Sequence, residues 1–174
     1  MALPTKPAPA LSFPLLSGGN WTLSEQAPEN FTIVVFYRGK HGPICKTFLR
    51  EIDAALPQAA SQGIGVVAVS MDGEERARDT LTEIGTENLR IGYGLSEASA
   101  REWGLYISSQ RPGSQEPERF SEPGLFVISP DGTVFFAQTQ SAPFTRPDFA
   151  KLLGGLDFVV KNGYPARGDL TDAA

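Results

Sequence analysis

One cysteine and one histidine are all that 174 residues provide. A lone thiol rules out a disulfide within the chain, and too few soft ligands remain for a zinc or iron–sulfur site. Any disulfide must form with another molecule. Positive charge is scarce too: 15 Lys and Arg stand against 20 Asp and Glu, a net charge of −5. No basic stripe reverses this balance, which excludes a general attraction to nucleic acid or to an anionic membrane. No segment has the apolar length of a membrane span, and the opening MALPTKPAPALSF has no apolar signal-type core. The expected location is a reducing cytoplasm. No internal repeat is visible.

The rest is ordinary globular composition, 41% apolar and 20% charged, in a chain long enough to bury roughly two thirds of its unfolded surface. Residues 1–10 read as a flexible N-terminal arm, 11–168 as one domain and 169–174 as a polar C-terminal tail. Residues 11–16, broken by Pro14, and 21–23 predict a hairpin at a sheet edge. The run 32–37 (TIVVFY) is apolar without alternation, as a strand buried on both faces requires. Phe48, Ile52 and Leu56 then fall at helical spacing, with Pro57 expected to end or kink that helix. A second buried strand, 66–69, completes a right-handed parallel βαβ unit. A surface helix is predicted over 73–84, a short strand over 89–93, and a helix capped by Ser96 that ends near Trp103. Residues 106–121 show no periodicity and read as a long loop. A strand over 124–128, the turn Pro130-Asp131-Gly132, a return strand over 133–136 and a helix over 148–160 close the chain.

Both rare residues lie in one stretch, residues 36–48, FYRGKHGPICKTF. Cys45 falls in the first turn of a helix opened by Pro43, where unpaired N–H groups and the helix dipole stabilise an anionic sulfur. The basic loop of Arg38, Lys40, His41 and Lys46 adds to that, which argues for a reactive thiol; the alternative is an inert buried cysteine. His41 reads either as a proton donor or as a solvated loop residue. Arg38 has three readings: a partner of the thiolate, a partner of Glu122, or a plain surface ion pair. Trp103 and Tyr106 read as packing or interface residues.

The element order is that of the thioredoxin fold, an α/β architecture with a mixed central β-sheet flanked by helices, here with an N-terminal extension. FYRGKHGPIC, VVAVSMD, EPGLFVISPDGT and QSAPFTRPDFAKLLGGLDFVVKNGYPARG together resemble the peroxiredoxin-like branch of the alkyl hydroperoxide reductase and thiol-specific antioxidant family. The resemblance covers about residues 11–168. Members of that branch commonly carry CPxC, whereas this chain has Gly42-Pro43-Ile44-Cys45. Dithiol exchange within one subunit is thereby closed, since one sulfur must attack and a second must resolve. Peroxiredoxins proper use PxxxTxxC, and set on Cys45 the threonine place is Gly42 and the proline place Arg38. Their arginine before the strand at 124–128 is replaced by Pro123. In thioredoxin-like proteins that place holds a cis-proline beside the thiol, so the resemblance implies a cis Glu122–Pro123 bond; an ordinary loop proline is the alternative. Gln140, Ser141 and Arg146 read as structural capping before the last helix.

The resemblance implies a one-cysteine, thiol-dependent peroxidase. Its catalytic candidates are Cys45, Arg38 and His41, in a site shaped by Gly42, Pro43, Ile44, Glu122 and Pro123. It calls for no cofactor and no metal. The partners are a peroxide or disulfide substrate and an external thiol reductant of the thioredoxin or glutathione type, and a homodimer is left open. Two other readings stand beside it: monothiol exchange with glutathione or a partner protein, and a thioredoxin-fold binding module that has lost redox chemistry.

Overall fold

A computed structural model describes residues 1–86 and 88–171. The N-terminal hairpin pairs β1 (Ser12–Pro14) with β2 (Asn20–Thr22), Phe13 opposite Trp21. Then follow β3 (Phe31–Phe36), α1 (Pro43–Ser61), β4 (Ile64–Val69), α2 (Glu74–Ile84), β5 (Arg90–Gly92) and α3 (Glu97–Glu102). The last part holds β6 (Ile107–Ser109), β7 (Arg119–Ser121), β8 (Gly124–Ile128), β9 (Val134–Thr139) and α4 (Phe149–Asn162). The main sheet has the order β5-β4-β3-β8-β9, parallel across β5, β4 and β3 and antiparallel across β8 and β9. This is the mixed sheet of the thioredoxin-like fold expected from the element order.

Strand alternation splits the sheet's side chains between two cores. From β3, Phe31, Ile33 and Val35 point into one core with Phe48, Leu49 and Ile52 of α1 and Phe149, Leu153 and Leu156 of α4. Val34 and Phe36 point into the other, with Phe13 and Trp21 of the hairpin and Trp103 after α3. Every residue of β3 is buried, because both faces are covered. Among the described residues no helix is long and apolar enough to cross a membrane.

Several expectations need correction. Residues 1–10 are not a free arm: the Thr5 and Ala8 N–H groups donate to Val134 O (2.7 Å) and Gly132 O (2.9 Å), and Ala2 is buried in the second core. An edge strand with spare carbonyls recruits them. Pro57 does not end α1, which runs on to Ser61. Tertiary hydrogen bonds hold its last turn, Asn30 Nδ2 to Gln62 O at 2.7 Å and Gln62 Nε2 to Leu153 O at 2.9 Å, and these offset the one helical hydrogen bond that proline removes. Residues 106–121 are no loop but the antiparallel β6–β7 hairpin, Ile107 opposite Ser121. Its turn is organised by the buried Glu116 carboxylate, which accepts from the Arg111 N–H (2.7 Å), Arg111 Nε (2.9 Å) and Ser114 Oγ (3.2 Å). Of the expected tail, residues 172–174 lie outside the described residues.

Candidate active site

The site is assembled where β3 gives way to α1. Gly39 turns the chain with φ of 133° and lies against Asp72: a Cβ there would meet Asp72 Oδ2 at 2.7 Å, so no side chain fits. The buried Asp72 carboxylate also accepts from the Lys40 N–H at 2.8 Å and from Arg76 Nε at 3.2 Å. The loop thus pinned delivers Gly42 to the N-cap of α1 and Pro43 to its first position. Proline suits that position, where an N–H would lack a helical partner. Gly42 offers no capping side chain, which leaves the first-turn donors uncapped around Cys45.

Cys45 is fully buried, with 0% exposure. Two donors meet its sulfur: Arg146 Nη2 at 2.7 Å and the Arg38 N–H at 3.4 Å. A guanidinium and a backbone amide are thus aimed at one sulfur at a helix start. An inert cysteine surrounded by hydrocarbon would have neither.

Arg146 is the residue that sequence reasoning missed. Its sequence position suggests capping of the last helix, yet that cap is Asp148, whose side chain accepts from the Lys151 N–H at 3.0 Å. Pro147 keeps Arg146 out of helical geometry, and its guanidinium binds both the sulfur and the Pro143 and Thr145 carbonyls. Gln140 braces the same loop through Ala142 O (2.7 Å) and Thr145 O. The available signal was the position of Arg146 inside the family-like QSAPFTRP segment. Pro123 precedes β8, and the guanidinium at the sulfur comes from the loop before α4.

Arg38 takes the second of its readings. Its Nε donates to Glu122 Oε2 at 2.9 Å, while Nη2 lies 3.7 Å from Glu116 Oε1. Ser108 Oγ donates to Glu122 Oε1 at 2.7 Å, and the guanidinium carbon lies 5.0 Å from the Phe120 ring centroid. These ties clamp the β6–β7 hairpin to the cysteine loop. Only the Arg38 backbone, not its side chain, touches the sulfur.

His41 does not join the sulfur. Its ring packs edge-on against Phe120 with centroids 4.5 Å apart, and among the described residues neither ring nitrogen has a hydrogen-bond partner. Burial first, then the nearby Arg38 charge, push its pKa down from 6.5 to about 4. It is therefore neutral near neutral pH, a poor proton donor without a contact to donate through. The expected cis-proline is absent as well: among the described residues every peptide bond is trans. Glu122 and Pro123 run extended from β7 to β8, with the Glu122 N–H bonded to Tyr106 O and Pro123 O accepting from the Gln140 N–H. No chain reversal there calls for the cis form. Pro123 and Arg146 share a small cavity behind the site.

A cleft of about 410 Å³ opens above these groups, lined by Arg38, Gly42, Pro43, Ile44, Glu122 and Arg146 among others. Cys45 itself is not among the lining residues, while Gly42 and Arg146, which both adjoin its sulfur, are.

Comparison with known proteins follows the same lines. The family model described as the AhpC/TSA family matches residues 4–137. The chain superposes on the peroxidoxin BcpB of Mycobacterium tuberculosis with a TM-score of 0.73 at 17% identity, over 91% of this chain and 99% of that one. It matches a cysteine-to-serine mutant of the peroxiredoxin 6 of Arenicola marina at 0.76 and 15% identity, over 99% and 82%. Enterococcus faecalis AhpC matches at 0.74 and 16% identity, over 94% and 98%. At such identities these structures establish the shared fold. No curated protein matches the chain.

Proposed function

Because this chain belongs to the AhpC/TSA family, we propose that it is a one-cysteine thiol peroxidase in which Cys45 reduces a peroxide and an external thiol completes the cycle. The observation that carries this reading is the Cys45 sulfur held between Arg146 Nη2 and the Arg38 N–H at the start of α1. The thiolate attacks one peroxide oxygen. An S–O bond forms as the O–O bond breaks, sulfur is oxidised to sulfenic acid, and the leaving alkoxide or hydroxide takes a proton from solvent. The Arg146 guanidinium supports the anionic nucleophile and the charge moving onto the leaving oxygen. An external thiol then condenses with the sulfenic acid, releasing water and leaving a mixed disulfide, and a second thiol frees Cys45. A reducing cytoplasm supplies such thiols.

Treatment with one equivalent of hydrogen peroxide tests this. The intact mass should rise by one oxygen, and dimedone should trap the product at Cys45 but not in Cys45→Ser. A Cys45 that stays unoxidised and alkylates slowly would overturn the proposal. A glutathione adduct formed from oxidised glutathione, with no reaction towards peroxide, would point to monothiol exchange instead.

A further inference from the structure

The Cys45 sulfur is shut off from the cleft: the residue is 0% exposed and does not border that space, whereas Arg146 borders it and holds the sulfur at 2.7 Å. A peroxide reaches the thiol only if something moves. The segment 141–146, which carries Arg146, is built to do so. On one side of it Gln140 is anchored, its N–H donating to Pro123 O at 3.2 Å, and on the other Asp148 caps α4. Among the described residues, no backbone group of 141–147 bonds beyond residues 140–148. The hydrogen bonds there are internal: Gln140 Nε2 to Ala142 O and Thr145 O, and Arg146 Nη1 to Pro143 O and Thr145 O. Pro143 and Pro147 also fix φ at two positions, so the segment keeps its shape as it moves. It stands between two clefts, one of about 410 Å³ on the Pro143 and Phe144 side and one of about 340 Å³ on the Pro147 side, and little packing opposes its displacement. Among the described residues its one hydrogen bond to the body of the protein is Arg146 Nη2 on Cys45 Sγ.

We propose that residues 141–146 form a lid over Cys45, latched by the Arg146–sulfur contact and released when that sulfur is oxidised. This rests on the peroxidase reading for what oxidises the sulfur. With Cys45 reduced, the lid opens to admit the peroxide and recloses to return the guanidinium to the reacting atoms. An oxygen bonded to Sγ then enters the space that the guanidinium occupies and leaves a sulfur without anionic charge. The latch is lost, and the lid stays open until the sulfur is reduced.

Limited digestion with chymotrypsin reads the lid, because Phe144 at its tip is 77% exposed and cleavage after it requires the segment to leave the surface. That cleavage should be roughly fivefold faster or more in Cys45→Ala, which lacks the latch, and in protein methylthiolated at Cys45 with methyl methanethiosulfonate, with cleavage after Tyr106 unchanged. Gln140→Ala cuts the internal brace without touching the sulfur. It should speed alkylation of Cys45 by a bulky maleimide more than alkylation by iodoacetamide, a dependence on reagent size that a change in thiol acidity does not produce. Equal cleavage after Phe144 in the reduced, methylthiolated and Cys45→Ala proteins, or equal acceleration of the two reagents in Gln140→Ala, would overturn the latch. A Cys45 that methyl methanethiosulfonate reaches only in urea that unfolds the chain would overturn the lid. If methylthiolation frees the lid while hydrogen peroxide leaves Cys45 unoxidised, the peroxidase reading fails and the lid stands; sulfenic acid formed with no faster cleavage gives the reverse.

Discussion

Arg146 and Arg38 show how little residue type says about role. Both are half-buried arginines beside the thiol; one offers its guanidinium to the sulfur, the other only its backbone N–H. A charged hydrogen bond is worth about 1.5–3 kcal/mol. Loss of the Arg146 contact in Arg146→Met should therefore slow sulfenic acid formation roughly 10- to 150-fold, with partial recovery in Arg146→Lys. Stopped-flow peroxide kinetics, with urea unfolding as a control for folding, provide the check. A rate within twofold of the parent would remove Arg146 from the chemistry.

At the scale of elements, the site depends on the β6–β7 hairpin being tied to the loop after β3. The Arg38–Glu122 pair carries that tie, with both side chains largely buried. Removing one partner of a buried pair leaves an unpaired charge and costs about 3–5 kcal/mol, whereas replacing both by apolar residues is often close to neutral. Glu116 lies 3.7 Å from Arg38 and softens the loss, so Glu122→Ala should destabilise by about 2–4 kcal/mol in urea. The double variant Arg38→Met with Glu122→Leu should regain most of that stability. If the double variant were no more stable than Glu122→Ala, the pair would be contributing through something other than charge compensation.

For the whole molecule, His41 supplies a pH dependence. Its folded pKa, about 4, lies below the ordinary 6.5, so on acidification the unfolded chain takes up the proton first. Its contribution to stability is full above about pH 6.5 and is lost as pH falls through about 4. Burial and Arg38 drive the shift, while Asp72 and Glu116 oppose it. Urea midpoints measured between pH 7 and pH 4 should fall less steeply in His41→Gln than in the parent. An identical slope in the two proteins would show that other groups set the acid limit.

The secondary structure was largely legible because its signals are local. The apolar run of β3, the helical spacing from Phe48 to Leu56 and the Ser96 cap each depend on near neighbours, so sequence by itself determined the βαβ unit, the C-terminal hairpin, the last helix and the place of Cys45 at a helix start. The β6–β7 hairpin was not legible, because its strands are only three residues long and its connection, although it turns at Pro112-Gly113, is held by the buried Glu116 carboxylate, which no local spacing announces. Nor was the N-terminal segment, whose composition cannot show that an edge strand awaits it. The electrostatics of the site were decided by tertiary structure alone. Arg146 lies 101 positions from Cys45, and Glu122 lies 84 from Arg38. Contacts of that separation follow from how sheet and helices pack, and no local spacing records which of the chain's arginines will face the sulfur.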